Sequence, residues 1–349
     1  MKKNKDLIRS INWKLWLGLL ISALFLYLAF RNVDPARTWE VIRSAHLFPL
    51  SLIVILTFFQ YVIRAWRWWI LLEPIKKTGF SSRLSSILIG FAANCVLPAR
   101  LGEFIRANYM GRRENISGSS TFGTIVVERL FDGFTLLLIL LIGLIGTSFP
   151  AEWSSISGSL RATGFFLLFI YILVIIFLAG FKYKAKPFLN ILDGFLFFLP
   201  NRFRSRITDM IWNFSLGLVL IKNPYRWVQA IFYSLFVWFA NLYQIQLIEQ
   251  STGLELPFMA TFLIMAMASF GAMIPSAPGF IGTFHLSVQL GFRFYGVGKE
   301  EALSAAILWH AAVFFPTMLF GLIAFLLFNT PLGRLSEDAD ILKKEHIRD

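Results

Sequence analysis

Long runs of almost uncharged residues constrain this 349-residue chain more than any other feature. A helix needs about 20 apolar residues to cross roughly 30 Å of hydrocarbon, and it satisfies its own backbone groups while doing so. The runs lack the alternation that is typical of membrane β-barrel strands. The sequence therefore predicts an all-α, polytopic membrane helical bundle with six full spans, at about residues 13–30, 49–72, 120–148, 163–181, 227–249 and 302–328.

The charge balance fits a membrane protein better than a nucleic-acid-binding protein. Only 15% of the residues are charged, and the formal net charge of +13 comes mostly from Lys and Arg beside the apolar runs. Such positive charge is typical of cytoplasmic loops and needs no polyanionic partner. The single cysteine, Cys95, and four scattered histidines form no disulfide or metal-ligand pattern, so the sequence predicts no metal site and no cofactor.

The distribution of basic residues also predicts the topology. The first apolar run is followed by RNVD at residues 31–34, a poor cleavage context, so we expect a retained first helix rather than a signal peptide. With both termini in the cytoplasm, the cytoplasmic segments contain 22 Lys or Arg residues and the outside segments contain five. We expect one membrane domain over 1–330, including a basic cytoplasmic segment at 182–226, and a cytoplasmic tail over 331–349.

Two apolar runs are too short to cross the membrane. Residues 84–97 and 258–274 each stop at a turn that contains Pro and Gly, and a second helical stretch follows. A helix broken at membrane depth is tolerated only where protein or a water-filled cavity satisfies its backbone groups, so both runs are interpreted as re-entrant hairpins. The breaks match at an offset of 177 residues, which predicts an inverted repeat. The residues at the breaks are Pro98, Gly102, Pro275, Pro278 and Gly279.

Charged residues inside the apolar segments carry the functional signal, because each costs at least about 2.5 kcal/mol at the centre of a span. They form three groups, in YVIRAWRWW, PARLGEFIRANY and VVERLFDG. With Arg293 included they leave a surplus of three positive charges, which predicts an anionic ligand, and phosphate suits the planar donors of arginine. The predicted substrate-binding residues are Arg64, Arg67, Arg100, Glu103, Arg106 and Arg129.

The acidic residues of these groups have two open roles. Glu128 and Asp132 are four residues apart and share a helix face, so they either orient the arginines or exchange protons. His310 lies where the repeat places the counterpart of VVERLFDG and is grouped with them as a candidate proton or charge relay; a core histidine is the alternative. Ion pairing between helices, with side chains that reach the interface, is the simpler role for all three groups.

Three segments resemble the signature blocks of a known family. LPARLGEFIRANYM, VVERLFDG and IPSAPGFIGTFH are similar, in this order, to blocks of the lysylphosphatidylglycerol synthase transmembrane region family, also described as flippase-like membrane proteins. The resemblance covers about residues 10–330 and implies a membrane region that moves lipids between leaflets. Because the chain stops at Asp349, it does not imply the transferase activity of the synthases, and His310 stands where it implies an arginine.

The sequence thus predicts a non-enzymatic lipid translocator in the inner (cytoplasmic) membrane. Its expected partner is an anionic membrane lipid, either a phospholipid or a polyprenyl phosphate, whose phosphate the arginines hold. Two alternatives stay open: a membrane-embedded transferase acting on lipid-linked sugars or amino acids, and an accessory scaffold for partner enzymes. A transferase would need an exposed acidic site, and the predicted outside loops contain no close acidic pair except Glu300 and Glu301.

Overall fold

The computed structural model of the protein describes residues 2–97, 100–147, 154–183, 201–217 and 224–328. Within these ranges the regular structure is helical, which confirms the predicted all-α membrane bundle. The helices are α1 (Lys2–Phe30), α2 (Pro35–Ser44), α3 (Leu47–Leu72), α4 (Phe80–Val96), α5 (Gly102–Glu114), α6 (Gly118–Gly146), α7 (Ser154–Tyr183), α8 (Asn201–Gly217), α9 (Pro224–Thr252), α10 (Phe258–Met273), α11 (Thr283–Arg293) and α12 (Lys299–Leu327).

Each of the six predicted spans coincides with a helix. By length and apolar composition, α3, α9, α12 and the Arg161–Leu178 stretch of α7 are each able to cross a membrane. Helix α6 also has 29 residues, but it includes the three charges of VVERLFDG. Helix α1 turns by 86° into α2, which the sequence interpretation treated as an outside loop. Asp34 caps α2 by accepting a hydrogen bond from the Ala36 amide at 2.8 Å.

Both predicted re-entrant hairpins are present. Helix α4 packs against α5, and α10 packs against α11. The two ends of the first hairpin meet on one side of the molecule, where the Gly79 amide donates to the Glu114 carboxylate at 3.1 Å. At the other end of the hairpin, the Gly102 amide donates to Asn94 Oδ1 at 2.8 Å. The chain therefore enters and leaves on the same side, with its turn buried among other helices.

The two halves of the molecule have the same helix order, α3 to α6 and α9 to α12, but opposite directions. Helix α3 lies against α9, where Gln244 Nε2 donates to Thr57 Oγ1 at 3.2 Å and Arg67 Nη1 donates to Ser234 Oγ at 3.0 Å. An early residue of each helix pairs with a late residue of the other, so the helices are antiparallel. Thr57 and Ser234 are 177 residues apart, as are Arg67 and Gln244, so the repeat relates the two hydrogen bonds to each other.

The hairpins repeat at a slightly different offset. A Cβ atom on Gly90 would lie 2.7 Å from Arg106 Cβ, and a Cβ atom on Gly271 would lie 2.6 Å from Ser287 Cβ. These equivalent contacts join the two helices of each hairpin, and both pairs of residues are 181 positions apart. The absence of a side chain at each glycine is what allows the two backbones to approach.

This offset corrects the match of the two breaks that the sequence predicted. With an offset of 181, Gly102 at the start of α5 corresponds to Thr283 at the start of α11, so its match with Gly279 was wrong by one helical turn. Helix α10 ends just before Pro275, and a 3-10 turn at Pro278–Phe280 follows, with Gly279 at a φ of +75°. Pro98 lies outside the described residues.

Each half also packs across the other. Helix α6 lies against α10, and α12 lies against α4, so each hairpin is held by the long helix of the opposite half. At the second crossing a Cβ atom on Gly321 would lie 2.1 Å from Ala92 Cβ. The turns of the two hairpins meet in the middle, where Arg100 Nη2 donates to the Ala272 carbonyl at 3.0 Å. Of the predicted segment 182–226, α8 and its flanking helix ends are described, whereas the tail at 331–349 lies outside the described residues.

Candidate functional site

A cavity of about 290 Å³ lies between the two halves, next to the hairpin turns. Helices α3, α4, α9, α10 and α12 contribute to its wall, together with both turns. Equivalent positions of the repeat line it in pairs, which places it at the junction of the inverted halves. The paired lining residues are Arg64 and Asn241, Phe91 and Ala272, Glu103 and Phe284, and Arg129 and His310.

The first half provides a basic wall. Arg64, Arg100 and Arg129 line the cavity, and Glu103 is the acidic residue among the described lining side chains. Arg129 keeps 30% of its side chain exposed, and its Nε lies 3.8 Å from Glu103 Oε1. Arg100 adopts a φ of +55° just before α5, which carries its side chain across to the second hairpin. Three guanidinium groups thus face one space with a single carboxylate beside them.

Behind this wall, two further arginines are completely engaged with carboxylates. Arg106 donates to both oxygens of Glu128, at 3.0 and 2.8 Å, and its guanidinium lies 3.8 Å from the ring centroid of Trp68. Arg67 donates to Asp132 Oδ1 at 2.6 Å, and its Nη2 lies 3.2 Å from Glu128 Oε1. Charge-assisted bonds of this kind fix the geometry of both partners.

The buried and exposed arginines belong to one network. Arg129 Nη2 contacts Glu128 at 2.6 Å and Asp132 at 3.2 Å, and Arg64 Nη1 lies 3.4 Å from Asp132. Through Glu128 and Asp132, the inner pair of arginines therefore fixes the position of two arginines on the cavity wall. Counting Arg64, Arg67, Arg100, Arg106 and Arg129 against Glu103, Glu128 and Asp132 leaves a surplus of two positive charges.

Arg293, which the sequence analysis included in the charge surplus, is not part of this network. It lies in the last turn of α11 with its side chain exposed. The predicted surplus of three charges is therefore reduced to two at the site itself.

The second half provides a neutral wall of amides and aromatic rings. Gln244 donates to Thr57 and accepts from Trp309 Nε1 at 3.2 Å. Gln60 lines the cavity with only 6% of the residue exposed, and its Nε2 has no hydrogen-bond partner among the described residues. The aromatic side chains of this wall are Phe280, Phe284, Trp309 and Phe314.

His310 stands on the neutral wall beside the second break. Its Nε2 donates to the Gly279 carbonyl at 2.9 Å, and its ring lies 4.7 Å from that of His285, measured between centroids. Arg129 is its counterpart in the first half, at an offset of 181 residues. The repeat thus places a histidine opposite an arginine across the cavity, as the sequence analysis located it.

The structure brings most of the predicted site residues together, but not all on one surface. Arg100 and Glu103 line the cavity as expected, whereas Arg106 extends away from it towards α6. Arg67 is likewise behind the wall. Sequence reasoning missed the neutral lining residues, although polar amides inside an apolar run are a readable signal; these residues are Gln60, Asn94, Asn241 and Gln244.

An apolar groove of about 490 Å³ lies on the far side of the α4–α12 contact. Phe91, Asn94 and Cys95 of α4 face the cavity, whereas Ala92 and neighbouring residues face the groove. The two helices therefore separate a polar cavity from an apolar surface. The groove is lined by Ile89, Ala92, Ala93, Val96, Met318, Leu319, Gly321, Leu322 and Phe325.

These features define a polytopic helical membrane protein with an inverted repeat around a basic internal cavity. The chain belongs to the lysylphosphatidylglycerol synthase transmembrane region family, which matches residues 15–321. This match confirms the resemblance found in the sequence.

Relatives of known name share low identity over most of the chain. The chain is 22% identical to the glycosyltransferase AglD of Haloferax volcanii over 94% of its length, but spans only 57% of that protein. It is 24% identical to a UPF0104 membrane protein of Pyrococcus horikoshii, over 82% of this chain and 89% of the relative. It is 21% identical to a UPF0104 membrane protein of Methanothermobacter thermautotrophicus, over 79% of this chain and 84% of the relative.

Proposed function

We propose that this protein is a translocator of phosphate-bearing membrane lipids. The observation that carries the proposal is the cavity between the inverted halves, where three arginines face one space with a single lining carboxylate. A net positive, partly desolvated site favours an anion, and arginine presents the planar donors that phosphate oxygens accept. Inverted repeats with broken helices are a common architecture of transporters, in which the site lies at the interface of the repeats.

In this proposal Arg64, Arg100 and Arg129 bind the phosphate. Arg67 and Arg106 are positioning residues, because they act on the cavity only through Glu128 and Asp132. Their guanidinium groups hold the two carboxylates, which in turn orient the cavity arginines. Glu103 offsets the charge of Arg129 while the cavity is empty of lipid. Proton exchange by Glu128, Asp132 or His310 remains the alternative role that the sequence analysis left open.

The apolar groove suits the hydrocarbon chain of the same lipid. Residues of α4 and α12 line both the cavity and the groove, so a head group in the cavity would have its chain within reach of an apolar surface. A lipid could then move between leaflets without taking its chain through the polar interior. We place the protein in the cytoplasmic membrane with both termini inside, as the distribution of basic residues predicts.

A second candidate function is that of a membrane partner for a transferase in lipid-linked glycan synthesis. The observation that favours it is the printed name of one relative, a glycosyltransferase of which this chain spans 57%. In that case the cavity would hold the lipid phosphate for a reaction on another domain or protein. Lipid binding without lipid movement would distinguish this function from translocation.

The test is lipid movement in vesicles that contain only the purified protein. Phosphatidylglycerol labelled on an acyl chain is incorporated into proteoliposomes, and a membrane-impermeant quencher then reports how fast inner-leaflet label reaches the outer leaflet. We expect the protein to accelerate movement, and we expect Arg64→Gln and Arg100→Gln each to lower the rate about tenfold or more, since each removes a charged hydrogen bond. Arg293→Gln, which changes an exposed arginine, is the matched control. A wild-type rate equal to that of protein-free vesicles would overturn the proposal.

A further inference from the structure

The inverted repeat permits a comparison of the two cavity walls residue by residue. In the first half the equivalent positions hold Arg64, Arg67, Glu128 and Arg129, and all four are charged. In the second half they hold Asn241, Gln244, Trp309 and His310. The contacts are retained while the charges are replaced, since the Arg67–Glu128 contact corresponds to the hydrogen bond from Trp309 to Gln244. The cavity is therefore divided into a cationic wall and a neutral hydrogen-bonding wall.

From this division we infer that the head group is a phosphodiester that carries an uncharged polyhydroxyl group, such as a glycerol or a sugar. The inference rests on the proposed function, and it assigns the second wall to the part of the head group beyond the phosphate. Hydroxyl groups donate and accept hydrogen bonds, as do the side-chain amides of Gln60 and Asn241. The same chemistry occurs in glycerol phospholipids and in sugar phospholipids, so the shared feature is the neutral polyol.

Gln60 provides an independent sign that this wall binds a hydrogen-bond acceptor. Its Nε2 is buried, lines the cavity and has no acceptor among the described residues. Buried donors are nearly always paired in folded proteins, and leaving one unpaired is unfavourable. A hydroxyl oxygen of a bound head group would satisfy it.

The aromatic part of the wall agrees with the same head group. Phe280, Phe284 and Phe314 present apolar ring surface beside the amides. Sites for small organic groups commonly combine aromatic side chains with a few polar groups that fix orientation. The C–H surfaces of a glycerol or sugar suit the rings, while its hydroxyl groups reach the amides.

A cationic head group does not fit this wall. Among the described lining residues Glu103 is the only carboxylate, and it lies on the basic wall beside Arg129. An ammonium group, as in an aminoacylated lipid, would therefore meet no acidic partner on the neutral wall and would be repelled by the three lining arginines. A head group of phosphate alone would leave the amides of the neutral wall unused.

The experiment compares lipids that share a phosphate and differ beyond it. Acyl-labelled phosphatidylglycerol, phosphatidic acid and lysylphosphatidylglycerol, and a labelled polyprenyl phosphohexose, are each tested in the same proteoliposomes. We expect phosphatidylglycerol or the phosphohexose lipid to move at least tenfold faster than the other two, a modest ratio for a site that hydrogen-bonds hydroxyl groups. The faster of these two probes identifies the source of the polyol.

Two variants assign the preference to the neutral wall. Gln60→Leu and Asn241→Leu should each reduce the preference for the polyol lipid over phosphatidic acid several-fold while leaving the movement of phosphatidic acid unchanged. Arg64→Gln should slow every probe instead. Equal movement of all four wild-type probes, or faster movement of lysylphosphatidylglycerol, would overturn the inference and leave the translocator proposal intact. If no probe moves, translocation itself fails, and competition of the same lipids for binding to the purified protein decides the head-group class.

Discussion

Arg106 and Glu128 form a two-point ion pair, with both guanidinium Nη atoms within 3.0 Å of the two carboxylate oxygens. The pair joins α5 of the first hairpin to α6, and neither side chain is more than 2% exposed. Breaking a buried pair leaves an uncompensated charge, which commonly costs about 3–5 kcal/mol. The pair therefore fixes the hairpin in place as well as orienting the network behind the cavity.

We expect Arg106→Ala to destabilise the protein by about 3–5 kcal/mol, because Glu128 loses both hydrogen bonds from this partner. Thermal unfolding in detergent measures the effect, with Arg293→Ala as an exposed-arginine control. The double variant Arg106→Met with Glu128→Leu should recover much of the loss, since it removes both charges together. A midpoint for Arg106→Ala equal to that of the control would show that the pair contributes little.

The antiparallel α3 and α9 predict which connecting segments face the same side of the membrane. In a Cys95→Ala background, a cysteine at Ser117 before α6 should be shielded from an impermeant thiol reagent in intact cells. A cysteine at Lys299, the first residue of α12, should react, because the repeat inverts its surroundings. Permeabilised cells, in which both positions should react, provide the control. Equal labelling of the two positions in intact cells would contradict the inverted arrangement.

Close backbone contacts at the helix crossings predict sensitivity to the addition of one methyl group. Gly321→Ala should destabilise the protein by about 1–3 kcal/mol, because its Cβ would lie 2.1 Å from Ala92 Cβ, and Gly271→Ala should act similarly within the second hairpin. Gly180→Ala on α7 is the matched control, since a Cβ there would meet no atom within 4 Å. Thermal unfolding of the three variants checks the difference. Equal midpoints would mean that the crossings adapt without cost.

The two open roles of Asp132 lead to different results for one substitution. Asp132 contacts Arg64, Arg67 and Arg129, so we expect it to orient the cationic wall. Asp132→Asn should then lower lipid movement about tenfold whether or not a pH gradient is imposed on the vesicles, because the loss of a charged partner misplaces the arginines. Loss of only the gradient-dependent part of transport would instead assign proton exchange to this carboxylate.

The sequence predicted the helices and hairpins well because apolar length and Pro–Gly breaks are local properties of the chain. It also predicted that the charged groups meet, since buried charges need partners. It did not predict which arginines face the cavity. Arg106 shares a broad helix face with Arg100 and Glu103, but the close contact at Gly90 and the pull of Glu128 direct it to α6.

The repeat was detected from the sequence, but its register in the hairpins was not. Matching prolines and glycines aligned Gly102 with Gly279, whereas the close backbone contacts align Gly102 with Thr283. Such contacts join residues that are distant in sequence, so no local pattern records them. The neutral wall was missed for a related reason, because Gln60 and Asn241 gain their meaning only from the cavity that they share.

The most direct test of the central claim is native mass spectrometry of the protein purified with its bound lipid. The account predicts a phosphate-bearing lipid on the wild-type protein and on the Arg293→Gln control. It predicts loss of that lipid from a folded Arg64→Gln, Arg100→Gln double variant, because the cavity loses two of its three arginines. A bound lipid without phosphate, or equal retention of the phosphate lipid by the double variant, would contradict it.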